Sequence, residues 1–508
     1  RGPFPTDTDR LISQAYVERR DYTSYFSAAA LSFQSLRAAV LDDGVQPIGI
    51  ESFDTSDAFP TALPVEGHYD PTSPVLGGRL RFTGQAVALL RNDPVISLTD
   101  PLGVDTPGPQ LYSAKNVIDT PRPVPTAADP VSSLTYRDSR SLDAEANWQS
   151  SVIFSGGLRI QPFADLRADY FSVNDGLIES LVGSTAMLSP ADTEVGRYLA
   201  SVGADLSWPF VRPVPGGSLI VEPLAQLILA NRLKFNPSIP NEDSVAFEFD
   251  ETNLFSLNRF SGYDLAESGA RANLGVRATL DLDGGRSASL LLGRTLREYP
   301  DDAFTPTSGL QGQSSDWVTF ASVTPVSGLS LFNRARFGGN DWTVKREEAG
   351  VNFGLGRLYA SVRYVYEQSG IVQVDCTVQE LTVSPAGVDE CPSPYGGALV
   401  PDGSSVIGAV ENMDLHGSWF FLKNWGVTVN ATYDFVGYEV NNRYHPVWPQ
   451  AQVGLTYLDE CIRLDLIYTH DEYYSATIGP SDSVAVRLTL TTLGGTLGAP
   501  TSSTRGSR

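Results

Sequence analysis

The chain has 508 residues, of which 36 are Lys or Arg and 59 are Asp or Glu, for a formal net charge of −23. So negative a field repels phosphate backbones and argues against a nucleic-acid partner. Only 19% of residues are charged, against roughly 25% in soluble domains, yet no run of about 18 apolar residues supplies a transmembrane helix. The combination excludes a helical membrane protein and makes a cytosolic enzyme unattractive. Four histidines and three cysteines leave few catalytic groups. Dinucleotide, P-loop, HExxH and GxSxG patterns are missing from any supporting context, as is a zinc-type CxxC pair. No cofactor, metal or covalent chemistry is expected.

The chain opens on Arg1-Gly2-Pro3 without Met or a signal peptide, so an internal portion of a longer precursor is expected. From residue 11 to 494 the dominant signal is two-residue alternation. In 164–170 Ala164, Leu166, Ala168 and Tyr170 share one side, with Asp165, Arg167 and Asp169 on the other. In 273–282 Leu274, Val276, Ala278, Leu280 and Leu282 oppose Asn273, Arg277, Thr279 and Asp281. Further on, Leu358, Ala360, Val362, Tyr364 and Tyr366 oppose Ser361, Arg363 and Glu367. Val427, Val429, Ala431 and Tyr433 then oppose Thr428, Asn430, Thr432 and Asp434. The last such run sets Val484, Val486, Leu488 and Leu490 against Ala485, Arg487 and Thr489. Strand side chains point alternately to opposite faces, so each run is a strip with one apolar and one polar side.

Connections alternate between tight and long. Tight ones include Asp283-Gly284-Gly285, Pro325-Val326-Ser327-Gly328, Lys423-Asn424 and Asp459-Glu460. Long polar ones are expected near 97–145, 174–195, 232–270, 368–410 and 436–450. Up-and-down strands with tight turns at one end and long loops at the other describe an antiparallel outer-membrane β-barrel. The count is roughly 19 to 21 strands. A soluble propeller or sandwich is the alternative. It lacks a blade repeat here, and a dry core could not take Arg, Asp and Glu on nearly every strand. Residues 1–10 are expected to be a lead-in and 495–508 a tail. Trp419-Phe420-Phe421 with Trp425, and Tyr468, Tyr473 and Tyr474, flank strand ends, where aromatic rings suit a headgroup girdle or ordinary strand packing.

A family resemblance rests on longer motifs. Glu222-Pro223-Leu224-Ala225-Gln226-Leu227 leads through a loop into Asn253-Leu254-Phe255-Ser256-Leu257-Asn258-Arg259-Phe260-Ser261-Gly262-Tyr263-Asp264. Gly269-Ala270-Arg271-Ala272-Asn273 and an alternating strand follow. This resembles the LptD family of lipopolysaccharide-assembly outer-membrane proteins, whose barrel carries a Glu-Pro strand, an Asn-Leu-Phe…Arg-Phe-x-Gly-x-Asp loop and an Arg-led strand. Tyr457-Leu458-Asp459-Glu460-Cys461 with Arg463-Leu464 looks like the family's cysteine turn, and Ser483 to Leu490 is similar to its terminal strand. Two departures stand out. Leu265 occupies a position where the family often has Arg, and Cys461 is alone where some members have two adjacent cysteines.

The resemblance implies a translocon in the bacterial outer membrane that inserts lipopolysaccharide into the outer leaflet through a polar lumen and a lateral seam. It implies a barrel of about 26 strands, a periplasmic jelly-roll domain that receives substrate from a bridge protein, and an LptE-type lipoprotein plugging the lumen. The jelly-roll and the first strands are expected to lie outside this chain. The seam would run along Val484, Val486, Arg487, Leu488 and Leu490. The alternative is a TonB-dependent-type receptor or a porin for solutes, and the receptor would carry a plug domain and an energy-coupling box that the sequence does not show. An outer-membrane hydrolase finds no serine partner for His416 or His470.

Cys376 and Cys391 lie fifteen positions apart in one long loop. A disulfide closing such a loop contributes about 3 kcal/mol and suits an exported protein, while a metal site there lacks further ligands. Cys461 falls in a tight turn, hence on the periplasmic side of a barrel. The resemblance implies a bridge from it to the N-terminal region; a free buried thiol is the alternative. His470, Asp471 and Glu472 read as a strand exit to water. Arg259 and Arg271 are expected to organise their loop or the lumen wall through carboxylates such as Asp264 and Glu267, or to face lipopolysaccharide phosphates.

Overall fold

The computed structural model describes residues 10–35, 60–91, 138–174, 192–374, 404–440, 443–471 and 481–490, apart from a few positions within 192–374, and short strands between. It is all-β. One antiparallel sheet of 21 strands runs through the chain. Two of these, Val152–Ile153 and Phe210–Val214, are short pieces beside tight turns. The others follow one another as an up-and-down meander, from Arg10–Arg20 paired with Ser24–Ser35 to Ile462–Asp471 paired with Ser481–Leu490. Among the described residues no helix is long and apolar enough to cross a membrane; a barrel crosses with strands.

Burial along the strands is inverted relative to a soluble sheet. In the strand Arg159–Asn174, Leu166 and Tyr170 are 54% and 42% exposed, while Asp165, Arg167 and Asp169 are buried. In Arg271–Leu282, Leu274 and Val276 are exposed, and Arg271 and Asn273 are buried. Val429 in Trp425–Val440 and Leu464 and Leu466 in Ile462–Asp471 repeat the pattern. Apolar side chains facing outward and polar ones inward are stable only where the outside is hydrocarbon and the inside is polar. Polar ladders accordingly cross the inner face: Asn430 donates to Gln452 at 3.2 Å, and Gln452 to Thr469 Oγ1 at 3.1 Å. The architecture is an outer-membrane-type barrel sheet.

Tight turns fall where the sequence placed them. The hairpin between Arg271–Leu282 and Arg286–Arg297 turns on Gly284 and Gly285, both with positive φ. Aromatic pairs gather at both strand ends, Trp419 with Phe421 (5.8 Å) and Trp425 with Tyr457 (5.2 Å) at one, Trp317 with Trp342 (5.4 Å) at the other.

Several stretches expected to be loops are strand. Trp425–Val440 and Arg443–Leu458 leave only two residues of the 436–450 stretch between them. Register shifts between Thr432, Asp434 and Tyr438 break the alternation there, which hides the strand from a period-two reading. Likewise Asp138–Gln149 and Ser404–Trp419 extend into stretches read as loop, and Leu177–Val182 with Thr185–Pro190 form a hairpin in a separate small sheet. Cys376, Glu472, Tyr473, Tyr474, residues 1–9 and residues 491–508 lie outside the described residues, as does the side chain of Cys391.

Candidate functional site

The segment between Gly217–Ala230 and Arg271–Leu282 folds back onto the inner face of the sheet. Phe249, Leu254 and Phe260 pack with Leu291 and Val318 of the wall and with Phe304 and Leu310 of the next long loop. Gly293 makes room for it: a Cβ there would stand 2.3 Å from Leu254 Cδ2 and 2.6 Å from the Leu274 carbonyl. Phe255 lies against Gly275, directly across the ladder from Gly293. An apolar seat on an otherwise polar wall thus fixes the loop.

Arg259 is the centre of this loop and is fully buried. It donates to the carbonyls of Asn253 (3.0 Å) and Leu254 (2.6 Å), to Asn273 Oδ1 and Thr295 Oγ1 (both 3.0 Å), and to Glu267 Oε1 (2.6 Å). Asn253 closes the turn before it, donating to the Glu248 carbonyl at 2.6 Å and accepting the Asp250 N–H at 3.2 Å. Asn258 accepts the Glu267 N–H at 3.1 Å. Glu267 is shared by three arginines: Arg259, Arg271 at 3.3 Å, and Arg297 in close contact. Burial alone would raise its pKa, but the three cations outweigh that and hold it at about 2. Burial pulls Arg259 down to about 10, against the attraction of Glu267.

Asp264 takes another role than the arginine pairing expected of it. Its carboxylate accepts the backbone N–H groups of Glu242 (2.6 Å) and Asp243 (2.9 Å), while Asp243 in return accepts those of Tyr263 and Asp264 at 3.0 Å. Burial and the neighbouring Asp243 push the Asp264 carboxyl well above its ordinary value. Gly262 sits between them at φ +62°, where a Cβ would lie 2.2 Å from Asp243 Oδ1, so this turn admits only glycine.

The loop is tied to the wall on both flanks by residues that the sequence reading did not single out. On one side Arg91 forms a two-pronged pair with Glu242 (2.8 and 3.0 Å), and Ser139 donates to the same carboxylate at 2.9 Å. Arg167 and Arg197 converge on Asp169 (2.7 Å each) and on the Tyr263 carbonyl, and Arg197 reaches the Asp264 carbonyl at 2.6 Å. On the other side Arg334 grips Glu251 at 2.8 Å and Arg336 meets Glu248 at 3.2 Å. Their inward parity was readable; their partners were not.

The two outermost strands, Arg10–Arg20 and Ser481–Leu490, form the sheet's edges, and among the described residues no ladder joins them. Val484, Val486, Leu488 and Leu490 are exposed on the outer side, and Arg487 is exposed on the inner side. The strand is held through Ile462–Asp471, including His470 Nδ1 against Asp482 at 2.8 Å. Cys461 is exposed and free in its turn, where its N–H donates to Asp459 at 2.8 Å. Among the described residues no group of His, Cys, Asp and Glu could hold a metal ion.

These features are a wall with inverted polarity, an inward loop built on the Asn-Leu-Phe…Arg-Phe-x-Gly-x-Asp motif, and two edge strands. The profile of the family described as LptD, LPS transport system D, matches residues 4–425. The chain belongs to the LptD family. It is therefore a bacterial outer-membrane protein of lipopolysaccharide transport. No curated protein matches the sequence. Among solved structures, the FrpB iron transporter from Neisseria meningitidis is 8% identical, with a TM-score of 0.38 over 91% of this chain and 67% of that one. The siderophore receptor PirA from Acinetobacter baumannii is 10% identical, with a TM-score of 0.40 over 95% and 71%. The ferric citrate transporter FecA is 9% identical, with a TM-score of 0.37 over 95% and 69%. At such values these likenesses bear on neither cargo nor mechanism. In this LptD-family chain the motif residues Asn253, Leu254, Arg259, Phe260, Gly262, Asp264 and Arg271 meet in one structure, the wall-bound loop.

Proposed function

We propose that this chain inserts lipopolysaccharide into the outer leaflet by passing the sugar head along the polar inner face while the acyl chains leave sideways through the seam beside Ser481–Leu490. The observation that carries the reading is the inverted polarity of the sheet, with apolar side chains outward and Arg, Asp and Asn inward, continued to its last strand, Ser481–Leu490, where Val484, Val486, Leu488 and Leu490 are exposed. An edge in hydrocarbon leaves each unpaired backbone group at a cost of several kcal/mol, so a weakly closed seam is where opening costs least. The amphiphile needs both environments at once, polar for its head and apolar for its tails. The protein catalyses no covalent step in this scheme, and energy comes from the machinery that delivers substrate. An LptE-type lipoprotein in the lumen and a periplasmic bridge acting through a jelly-roll domain are the partners the family membership favours.

The test is a cross-link in the intact protein between a cysteine replacing Arg487 and one at the facing position of the strand that closes the barrel. Locking this pair is expected to stop surface display of lipopolysaccharide, and reduction to restore it. Normal display through a quantitatively locked seam would refute lateral release.

A further inference from the structure

At the long-loop end of the sheet an open cleft lies between the start of the inward loop and the segment after Arg286–Arg297. Its walls carry Arg197, Arg232, Lys234, Asp264, Tyr299 and Asp301 among others. The two carboxylates are already engaged. Asp264 accepts two backbone N–H groups from the loop, and Asp301 accepts those of Ser268 (3.0 Å) and Ala303 (3.2 Å). Arg197 is engaged in the wall, sharing Asp169 with Arg167 and donating to the Asp264 carbonyl. Arg232 and Lys234 are exposed, and among the described residues neither has a carboxylate partner. Arg232 instead lies over the ring of Tyr299 at 5.2 Å.

The segment bearing them is not loose. Asn231 just before it accepts the Ala200 N–H at 2.7 Å, donates to the Tyr198 carbonyl at 3.0 Å, and receives the Gly269 N–H on its own carbonyl at 3.1 Å. Two cations are thereby held at a fixed cleft, beside an aromatic ring, in a chain whose net charge is −23. We infer that this cleft is a binding site for a phosphorylated sugar, with Arg232 and Lys234 contacting the phosphate and Tyr299 the ring face. Guanidinium and ammonium groups are the standard donors to phosphate oxygens. Resting on the proposed export of lipopolysaccharide, the inference makes the cleft a contact for the inner sugars of a molecule arriving at the cell surface.

The experiment measures binding of deacylated, phosphate-bearing lipopolysaccharide saccharide to the full-length protein in lipid nanodiscs by calorimetry. The double variant Arg232→Gln/Lys234→Gln is expected to weaken binding at least about tenfold, and phosphatase treatment of the saccharide to do the same. Arg232→Lys should keep most of the affinity. Inorganic phosphate at the same concentration should not compete. Equal affinity in the double variant, or undiminished binding of the dephosphorylated saccharide, overturns the inference. Full competition by inorganic phosphate overturns the sugar part of it, leaving a bare anion site. Saccharide binding that persists while the seam cross-link fails to block export would refute lateral release and leave the cleft standing.

Discussion

Replacing Glu267 by Gln keeps the side chain's size and one acceptor but removes the carboxylate shared by Arg259, Arg271 and Arg297. All four residues are buried. The carboxyl is held at about 2 against an ordinary 4.5, which corresponds to about 3 kcal/mol of differential stabilisation. Loss of one member of a buried ion pair costs about 3–5 kcal/mol in general, so the two routes agree in order of magnitude. The folded value is depressed, so this stabilisation is complete above about pH 4.5 and fades as pH falls towards about 2. At neutral pH the variant's loop should open about a hundredfold more often, while the sheet, whose ladders do not involve Glu267, stays closed. Hydrogen exchange in lipid nanodiscs reads this directly at the Phe247 amide, bonded to the Arg259 carbonyl, and at Ser256, bonded to the Asn253 carbonyl. Strand amides of Arg286–Arg297 serve as the internal control. Unchanged loop protection, or equal loss in loop and strands, would refute the assignment of Glu267 as the loop's electrostatic lock.

Three further outcomes follow from the same geometry. Gly293→Ala puts a methyl group 2.3 Å from Leu254 and 2.6 Å from the backbone of Leu274, so it should cost about 1–3 kcal/mol of overpacking and expose the loop to limited proteolysis. Asp264, raised above its ordinary value by burial and by Asp243, favours the folded loop when protonated. Loop protection, corrected for intrinsic exchange, should therefore decline as pH rises above the ordinary carboxylate range, and Asp264→Asn should flatten that decline. Leu290→Arg, on the outward face, should cost about 2–4 kcal/mol and reduce the heat-modifiable folded band. Thr279→Arg, on the inward face, should leave that band intact.

The fold was largely legible because a barrel needs only local rules. Alternation in 164–170 and 273–282 gave both the strands and the polarity of their faces, and Asp283-Gly284-Gly285 gave a hairpin without reference to anything distant. Legibility failed where a strand bulges, as in 436–450, because a register shift breaks the period on which the reading depends. The motif announced its loop, and the Arg259, Arg271 and Glu267 contacts lie within a short span of chain. The remaining site was hidden for a physical reason. Arg91 meets Glu242 across 151 positions, and Arg334 meets Glu251 across 83. Such partners are set by strand order and register, to which neither residue's neighbours hold a clue. Asp264 illustrates a second limit: beside so many arginines a carboxylate looked like an ion-pair partner, but two backbone N–H groups of its own loop lie nearer.

The inward loop touches the wall from Arg91 at the end of Arg79–Leu90 to Arg336 in Leu329–Phe337, drawing a contact from almost every long strand between. A slip of one residue in any of these strands would turn its inward side chains out to the lipid and remove one tether. Docking of the loop therefore works as a checksum on assembly. It completes only when the intervening ladder is in register, since a slipped strand leaves the Asn253–Glu267 segment without that strand's tether.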